Sequence, residues 1–244
     1  MEKSTIGILG GMGPAATVEL FSRIINETVA ETDQEHLKMI IMNDPQIPDR
    51  SNFILENGPS PVPKLIENLK ILSNAGADVA VIPCMTAHSF LKELRYNSPI
   101  PIVNGISLVD EYINENYPNI NKVGLLATNG SIESGVFPGY LSKEVVAPSK
   151  IDQVEVMEII YGENGIKSGN TSHRLSKRIK KITDRLVEED NIEAVIAGCT
   201  ELSLVMKESH IGIPVLDPIT YLARKAVNIG NNYSEETTSN KNWS

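Results

Sequence analysis

Apolar and polar positions divide the chain into strand-like and helix-like stretches in regular succession. Thr5 to Leu9 is a short, β-branched apolar run ended by Gly10-Gly11. Pro14 suits the first turn of a helix whose apolar positions Val18, Phe21, Ile25 and Val29 recur at helical spacing. Lys38 to Met42 reads as a second strand. Between Asp44 and Pro63 the periodicity disappears, and five prolines, one glycine and several polar residues predict a long surface loop. Loops of that length inside a compact domain serve more often as lids than as plain connections. Helical spacing returns at Val62, Leu65, Ile66, Leu69 and Leu72, with Gly76 as the stop signal. Asp78 to Pro83 predicts a buried parallel strand that delivers Cys84 at its end, followed by a helix through Leu94 and a strand at Ile100 to Val103.

The same landmarks return in the second half. Ile6-Gly7-Ile8-Leu9 is matched by Val123-Gly124-Leu125-Leu126, Cys84 by Cys199, and Ile100-Pro101-Ile102-Val103 by Ile213-Pro214-Val215-Leu216. Gly7 and Gly124 lie 117 residues apart, Cys84 and Cys199 115, and Pro101 and Pro214 113, a spacing constant enough to indicate a duplication. The pattern predicts an α/β protein of two similar three-layer domains with four-stranded, mainly parallel sheets, related by pseudo-two-fold symmetry. Right-handed crossovers put the strand-to-helix loops at the carboxyl ends of their sheets, and if the two halves face each other both cysteines line the cleft between them, which would hold the active site. The first half takes residues 1–104 and is completed by a helix in 216–230; the second takes 105–215, and 231–244 is a polar tail.

Composition narrows the function. With 41% hydrophobic and 22% charged residues in 244, the chain is an ordinary globular protein, and no apolar run approaches the roughly 18 residues of a membrane span. The N-terminus lacks a signal-peptide pattern, so a cytoplasmic protein is expected, in which cysteines stay as thiols. A net charge of −9 disfavours nucleic acid and anionic membrane as partners, and an anionic small substrate would need positive charge inside the site. The basic run Arg174 to Lys181 does not change this, because Leu175, Ile179, Ile182 and Leu186 keep a helical stripe through it and leave the charges on a solvated face.

The only two cysteines, Cys84 and Cys199, sit on repeated strand-end motifs. A free cysteine alone is usually a small buried hydrophobe; two at equivalent ends of duplicated halves suggest chemistry. Inverting a stereocentre through a planar carbanion needs a base on one face and an acid on the other, and a thiolate opposed to a thiol supplies both. A helix N-terminus behind each cysteine would favour the thiolate.

Three motifs in order carry a family resemblance: Gly10-Gly11-Met12-Gly13-Pro14, Pro83-Cys84-Met85-Thr86-Ala87-His88 and Gly198-Cys199-Thr200-Glu201-Leu202. The set resembles the aspartate racemase branch of the aspartate/glutamate racemase superfamily. Glutamate racemases of that superfamily usually carry histidine where this chain has Glu201, and aspartate racemases usually carry asparagine at Met85. The resemblance implies cofactor-independent, two-base racemisation between two similar α/β domains, commonly in a homodimer, with Cys84 and Cys199 as the catalytic pair. It also implies carboxylate clamps at Arg50 and Lys167, both in loops, and substrate contacts at Met12, Met85, Thr86, Thr128 and Thr200. The threonines are equally placed to cap helices.

Other chemistries fit less well. Gly11-x-Gly13-x-x-Ala16 mimics a dinucleotide fingerprint without its acidic partner about 20 residues on. A Schiff base at Lys167 would leave both cysteines unexplained, and Cys84 with His88 is half of a metal site at most. The expectation is a racemase of a small acidic amino acid, aspartate first, with no metal and no organic cofactor. Glutamate or broad-specificity racemisation, or a binding protein of the same fold without turnover, are the alternatives.

Overall fold

The structure is a computed structural model and describes residues 3–231. Apart from Asn231, the polar tail 231–244 lies outside the described residues. Strand β1 (Ile6–Gly10) leads into helix α1 (Pro14–Glu27), with Pro14 in its first turn. Strand β2 (Met39–Asn43), helices α2 (Arg50–Ile54) and α3 (Val62–Asn74), and strand β3 (Val79–Val81) come next. A 3₁₀ turn, Met85–Phe90, then precedes helices α4 (Leu91–Asn97) and α5 (Gly105–Asn116). The second series is β4 (Lys122–Leu126), α6 (Asn129–Glu133), β5 (Glu144–Val146) and α7 (Lys150–Tyr161). It continues with a 3₁₀ turn at Ile166–Ser168, α8 (His173–Asp190), β6 (Ala194–Ala197), α9 (Glu208–Ile211), β7 (Val215–Leu216) and α10 (Pro218–Asn231).

Two parallel sheets result, ordered β2-β1-β3 and β5-β4-β6-β7. The order is the same in both, as a duplication requires, but the first sheet has three strands instead of the expected four. Ile100 to Val103 is reduced to one bridge between Ala80 and Ile102. Ala80 N–H donates to the Pro101 carbonyl and Val103 N–H to that of Ala80. Gly7 and Gly124 play equivalent parts at the sheet centres. A Cβ would lie 2.9 Å from Ala77 Cβ at the first and 2.6 Å from Ile192 Cδ1 at the second.

The core is continuous between the halves. Ile6, Ile8 and Val81 of the first sheet share one apolar cluster with Val123, Leu125 and Ile196 of the second, bridged by residues of α5 and α10. Helix α10 buries Ile219, Leu222 and Ala226 against α1 and α5, and Tyr221 stacks on Tyr112 at 4.3 Å. At about 1.5–3 kcal/mol for each large apolar side chain fully buried, this seam fixes how the two sheets sit. Helix α8 buries the predicted stripe, Leu175, Ile179, Ile182 and Leu186.

The proline-rich stretch departs from expectation. It is not simply a surface loop, for Asp44, Ile47, Arg50 and Ser51 are buried. Asp44 pins its start, accepting from Asn68 Nδ2 at 2.9 Å and Gln46 N–H at 3.0 Å, and Asp49 caps α2 by accepting Asn52 N–H at 2.8 Å. Helix α2 thereby packs on α6, so close that a Cβ on Gly130 would lie 2.6 Å from Ser51 Cα. No helix among the described residues is long and apolar enough to cross a membrane.

Candidate active site

Strands β3 and β6 flank the central strands of their sheets, and each ends two residues or fewer before a Pro-Cys or Gly-Cys step. Cys84 and Cys199 are free thiols, 5% and 6% exposed. Both line one cavity, and the other sequence-selected residues converge on it. Arg50, Met12, Met85 and Thr86 form the wall nearer the first sheet, and Thr128, Lys167 and Thr200 the wall nearer the second. Ser51, Tyr161 and Glu201 complete the lining. The cavity is nearly closed, at about 10 Å³, the lower limit of what one water needs. Beyond it lies an outer vestibule of about 400 Å³ that shares Arg50, Tyr161, Lys167 and Glu201 with the inner wall.

Arg50, 8% exposed, is the first residue of α2 and not a loop residue. Its Nη1 donates to the carbonyls of Ile47 and Pro48 at 3.2 and 3.1 Å, and Nη2 to that of Met12 at 3.5 Å. Nε is buried without a hydrogen-bond partner, and among the described residues Arg50 forms no ion pair. Burial works against its charge, while Cys84, Asp49 and Tyr161 favour it, and the balance holds the cation. A buried guanidinium held by carbonyls and a thiol, with no carboxylate on it, is an incomplete anion site, since such charges are otherwise paired.

The opposite wall is built on a carboxylate. Cys199 Sγ donates to Glu201 Oε2 at 3.0 Å, while Oε1 accepts Gly13 N–H at 3.2 Å and forms an ion pair with Lys167. Gly13 precedes α1, so the N-terminus of that helix also favours the negative charge. Lys167 lies in the 3₁₀ turn rather than an open loop, with Nζ 5.4 Å from the centre of the Tyr161 ring. Burial opposes its charge, but Glu201 and Cys199 raise its pKa above the ordinary lysine range. Burial pushes the Cys199 thiol well up, the Glu201 charge pushes it further, and Lys167 opposes both. Cys199 therefore stands as a protonated donor, whereas Cys84 faces the guanidinium.

The sequence pattern marks Glu201 only as a departure from histidine, and it does not single out Ser51 or Tyr161. The available signal is an acid directly after Cys-Thr in a chain that also offers a loop lysine. Ser51 Oγ donates to Thr128 Oγ1 at 3.0 Å, and Thr86 Oγ1 meets Ser131 Oγ at 2.8 Å, forming a wall of hydroxyls from both halves. Thr128 also caps α6, so it both lines the cavity and holds a helix start. Thr200 donates to the Pro83 carbonyl at 3.1 Å and ties the two cysteine loops together. Met85 is fully buried, and a Cβ on Gly105 would lie 3.0 Å from its Cε.

His88 is accounted for by structure. Its Nε2 accepts Gly105 N–H at 3.0 Å, so the ring proton is on Nδ1, which donates to the Cys84 carbonyl at 3.0 Å. Burial drives its pKa down to about 4. With both nitrogens engaged, it offers Cys84 no second metal ligand. The glycine-rich loop after β1 is likewise filled: Gly11, at φ +94°, packs on the Asp44 backbone, and Gly13 N–H is taken by Glu201. No phosphate cradle is left there.

Known proteins share this fold. An aspartate racemase from Picrophilus torridus superposes with a TM-score of 0.79 at 29% identity, over 92% of this chain and 93% of its own. An aspartate racemase homologue from Pyrococcus horikoshii does so with a TM-score of 0.72 at 26% identity, over 94% and 99%. The broad specificity amino-acid racemase RacX of Bacillus subtilis is 25% identical over 229 residues, 91% of this chain and 96% of its own length. The family described as Asp/Glu/hydantoin racemases matches residues 9–226, a span that holds both cysteines, Arg50, Lys167 and Glu201. That match, over most of its length, places this chain in the Asp/Glu/hydantoin racemase family.

Proposed function

We propose that this amino-acid racemase interconverts L- and D-aspartate without metal or organic cofactor, using Cys84 and Cys199 as its two acid–base groups. The observation that carries the reading is the meeting of two buried free thiols, one from each half, in a cavity whose Arg50 has no counter-ion among the described residues. One thiolate takes the α-proton, breaking Cα–H and forming S–H, and the planar carbanion then takes a proton from the opposite thiol. Charge placement supports Cys199, beside Glu201, as the thiol at the start, with Cys84 facing Arg50 on the other wall. Arg50 would bind the α-carboxylate through its planar fork, and the hydroxyl wall would add donors where negative charge develops. Lys167 is the cation available for a side-chain carboxylate. We further propose that the protein works as a homodimer, as the resemblance implies, and that it does so in the cytoplasm.

A broad-specificity racemase is the second reading, and one observation favours it. Lys167 is already neutralised by Glu201, which leaves Arg50 as the unpaired cation in this wall, enough for a substrate with one carboxylate. Incubating enantiopure amino acids with the protein and following them by chiral chromatography in heavy water separates the two. Aspartate should racemise fastest and gain deuterium at Cα; faster turnover of glutamate or a neutral amino acid would overturn the substrate assignment. Cys84→Ser and Cys199→Ser should each lower racemisation at least about 10²-fold with the fold intact. Several per cent of wild-type activity in either would remove that cysteine from the mechanism.

A further inference from the structure

Glu201 is the one acidic side chain in the inner wall among the described residues, and at 2% exposure its charge is held by three donors. Two of them, Gly13 N–H and the Cys199 thiol, belong to the protein alone, whereas the third, Lys167, is the cation a substrate's side-chain carboxylate would seek. Resting on the reading of this cavity as an amino-acid site, we propose that Glu201 is its specificity-determining residue: a ligand gains Lys167 only by bringing a second carboxylate that takes Glu201's place on the ammonium.

The geometry makes that exchange feasible. Lys167 lines both the inner cavity and the vestibule, so an entering carboxylate can reach it. Once displaced, Glu201 is not orphaned, because the Gly13 N–H at 3.2 Å and the Cys199 thiol at 3.0 Å still hold it. The ion pair occupies space that only glycine leaves at position 13, where a Cβ would lie 3.0 Å from Glu201 Oε1 and 3.7 Å from Lys167 Nζ. A ligand with one carboxylate satisfies Arg50 and leaves the Lys167–Glu201 pair untouched. A dicarboxylate satisfies Arg50 as well, but trades one ion pair of Lys167 for another and gains little from the trade. Glu201 therefore levels the affinities of the two classes, and loss of its charge should separate them.

Succinate and butyrate share a four-carbon skeleton and differ by one carboxylate. Their dissociation constants, measured by calorimetry on the full chain, give a butyrate-to-succinate ratio that reports Lys167 directly. In Glu201→Gln the ratio should rise at least about tenfold over wild type, the scale of a charge-assisted contact set free. The rise should vanish in Lys167→Met/Glu201→Gln compared with Lys167→Met alone. A ratio unchanged or lowered by Glu201→Gln, or a rise that persists without Lys167, would overturn the proposal. If Glu201→Gln does not fold, Glu201→Asp, with a shorter reach, decides in the same way: a smaller rise supports the proposal and no rise overturns it. Absence of binding by either acid to wild type and variants alike would overturn the carboxylate-site reading itself. A flat ratio with intact binding strikes Glu201 alone.

Discussion

Arg50 shows how much of this site depends on the shape of one side chain and not only on its charge. Its two Nη atoms are engaged by backbone carbonyls that fix the guanidinium plane, and the unpaired Nε lies in the same plane. A lysine could restore the charge but not the fork, since an ammonium cannot hold the Ile47 and Pro48 carbonyls while presenting two parallel donors to a carboxylate. Arg50→Lys should therefore reduce kcat/KM for aspartate at least about tenfold while leaving the melting temperature within a few degrees of wild type. Steady-state kinetics by chiral chromatography and a thermal melt would check this. Wild-type kinetics in the variant would show that Arg50 holds backbone and not substrate. Glu201 makes the complementary point: its partners Lys167 and Gly13 stand 34 and 188 positions away in the chain, so its role becomes visible only after folding.

The turn behind Cys84 joins local structure to the chemistry. Val79 to Ile82 is apolar and ends at a proline, which makes the strand and the place of Cys84 legible, whereas the stretch from Met85 to Leu94 reads from its pattern as one helix. It is a 3₁₀ turn running into α4, and six residues are too few for side-chain periodicity to tell a three-residue turn from a 3.6-residue one. Within this turn His88 bridges the Cys84 carbonyl to the first N–H of α5 from the interior. The missing fourth strand of the first sheet is similarly out of reach, because Ile100, Ile102 and Val103 advertise a strand as clearly as their counterparts Ile213, Val215 and Leu216, of which Val215 and Leu216 pair as β7. His88 also has a consequence for pH. Its folded pKa of about 4 lies below the ordinary 6.5, because burial and the nearby Arg95 charge disfavour the imidazolium. The unfolded chain therefore binds this proton first as pH falls. The contribution of neutral His88 is complete above pH about 6.5, declines between 6.5 and 4, and is lost below that, for a total of about 3 kcal/mol. In urea unfolding, wild type should lose about that much more stability across the window than His88→Gln, in which this titration is absent while those of the carboxylates cancel. Parallel pH profiles would show that His88 takes up its proton as readily in the folded protein as in the unfolded chain.

The two halves meet through a continuous core on one side and a polar seam on the other. The repeat spacing makes the duplication legible, and with it the common cleft; the seam is not, because it consists of serine and threonine pairs that mean little until both halves are in place. At its outer edge Tyr161, the last residue of α7, donates to Asp49 Oδ2 at 3.2 Å and so ties the Arg50 segment to the Lys167 segment across the vestibule. A cavity of about 10 Å³ cannot admit an amino acid, so its walls must part for a ligand to enter, and this tie lies across the vestibule that leads to them. A single partly exposed hydrogen bond is worth about 0.5–1.5 kcal/mol, which sets the expected shift of the opening equilibrium at roughly two- to tenfold. Tyr161→Phe removes the bond while keeping the ring under Lys167. The change is electrostatically neutral, because burial and the Asp49 charge hold the Tyr161 phenol above its ordinary pKa and keep it protonated. Alkylation of Cys84 and Cys199 by iodoacetamide, followed by mass spectrometry at fixed pH, should accelerate by that factor in Tyr161→Phe. The exposed Tyr96 supplies a control, since Tyr96→Phe touches no part of the seam. An unchanged alkylation rate in Tyr161→Phe would mean that opening is governed elsewhere, by the hydroxyl seam between Ser51 and Thr128 and not by the bond at its rim.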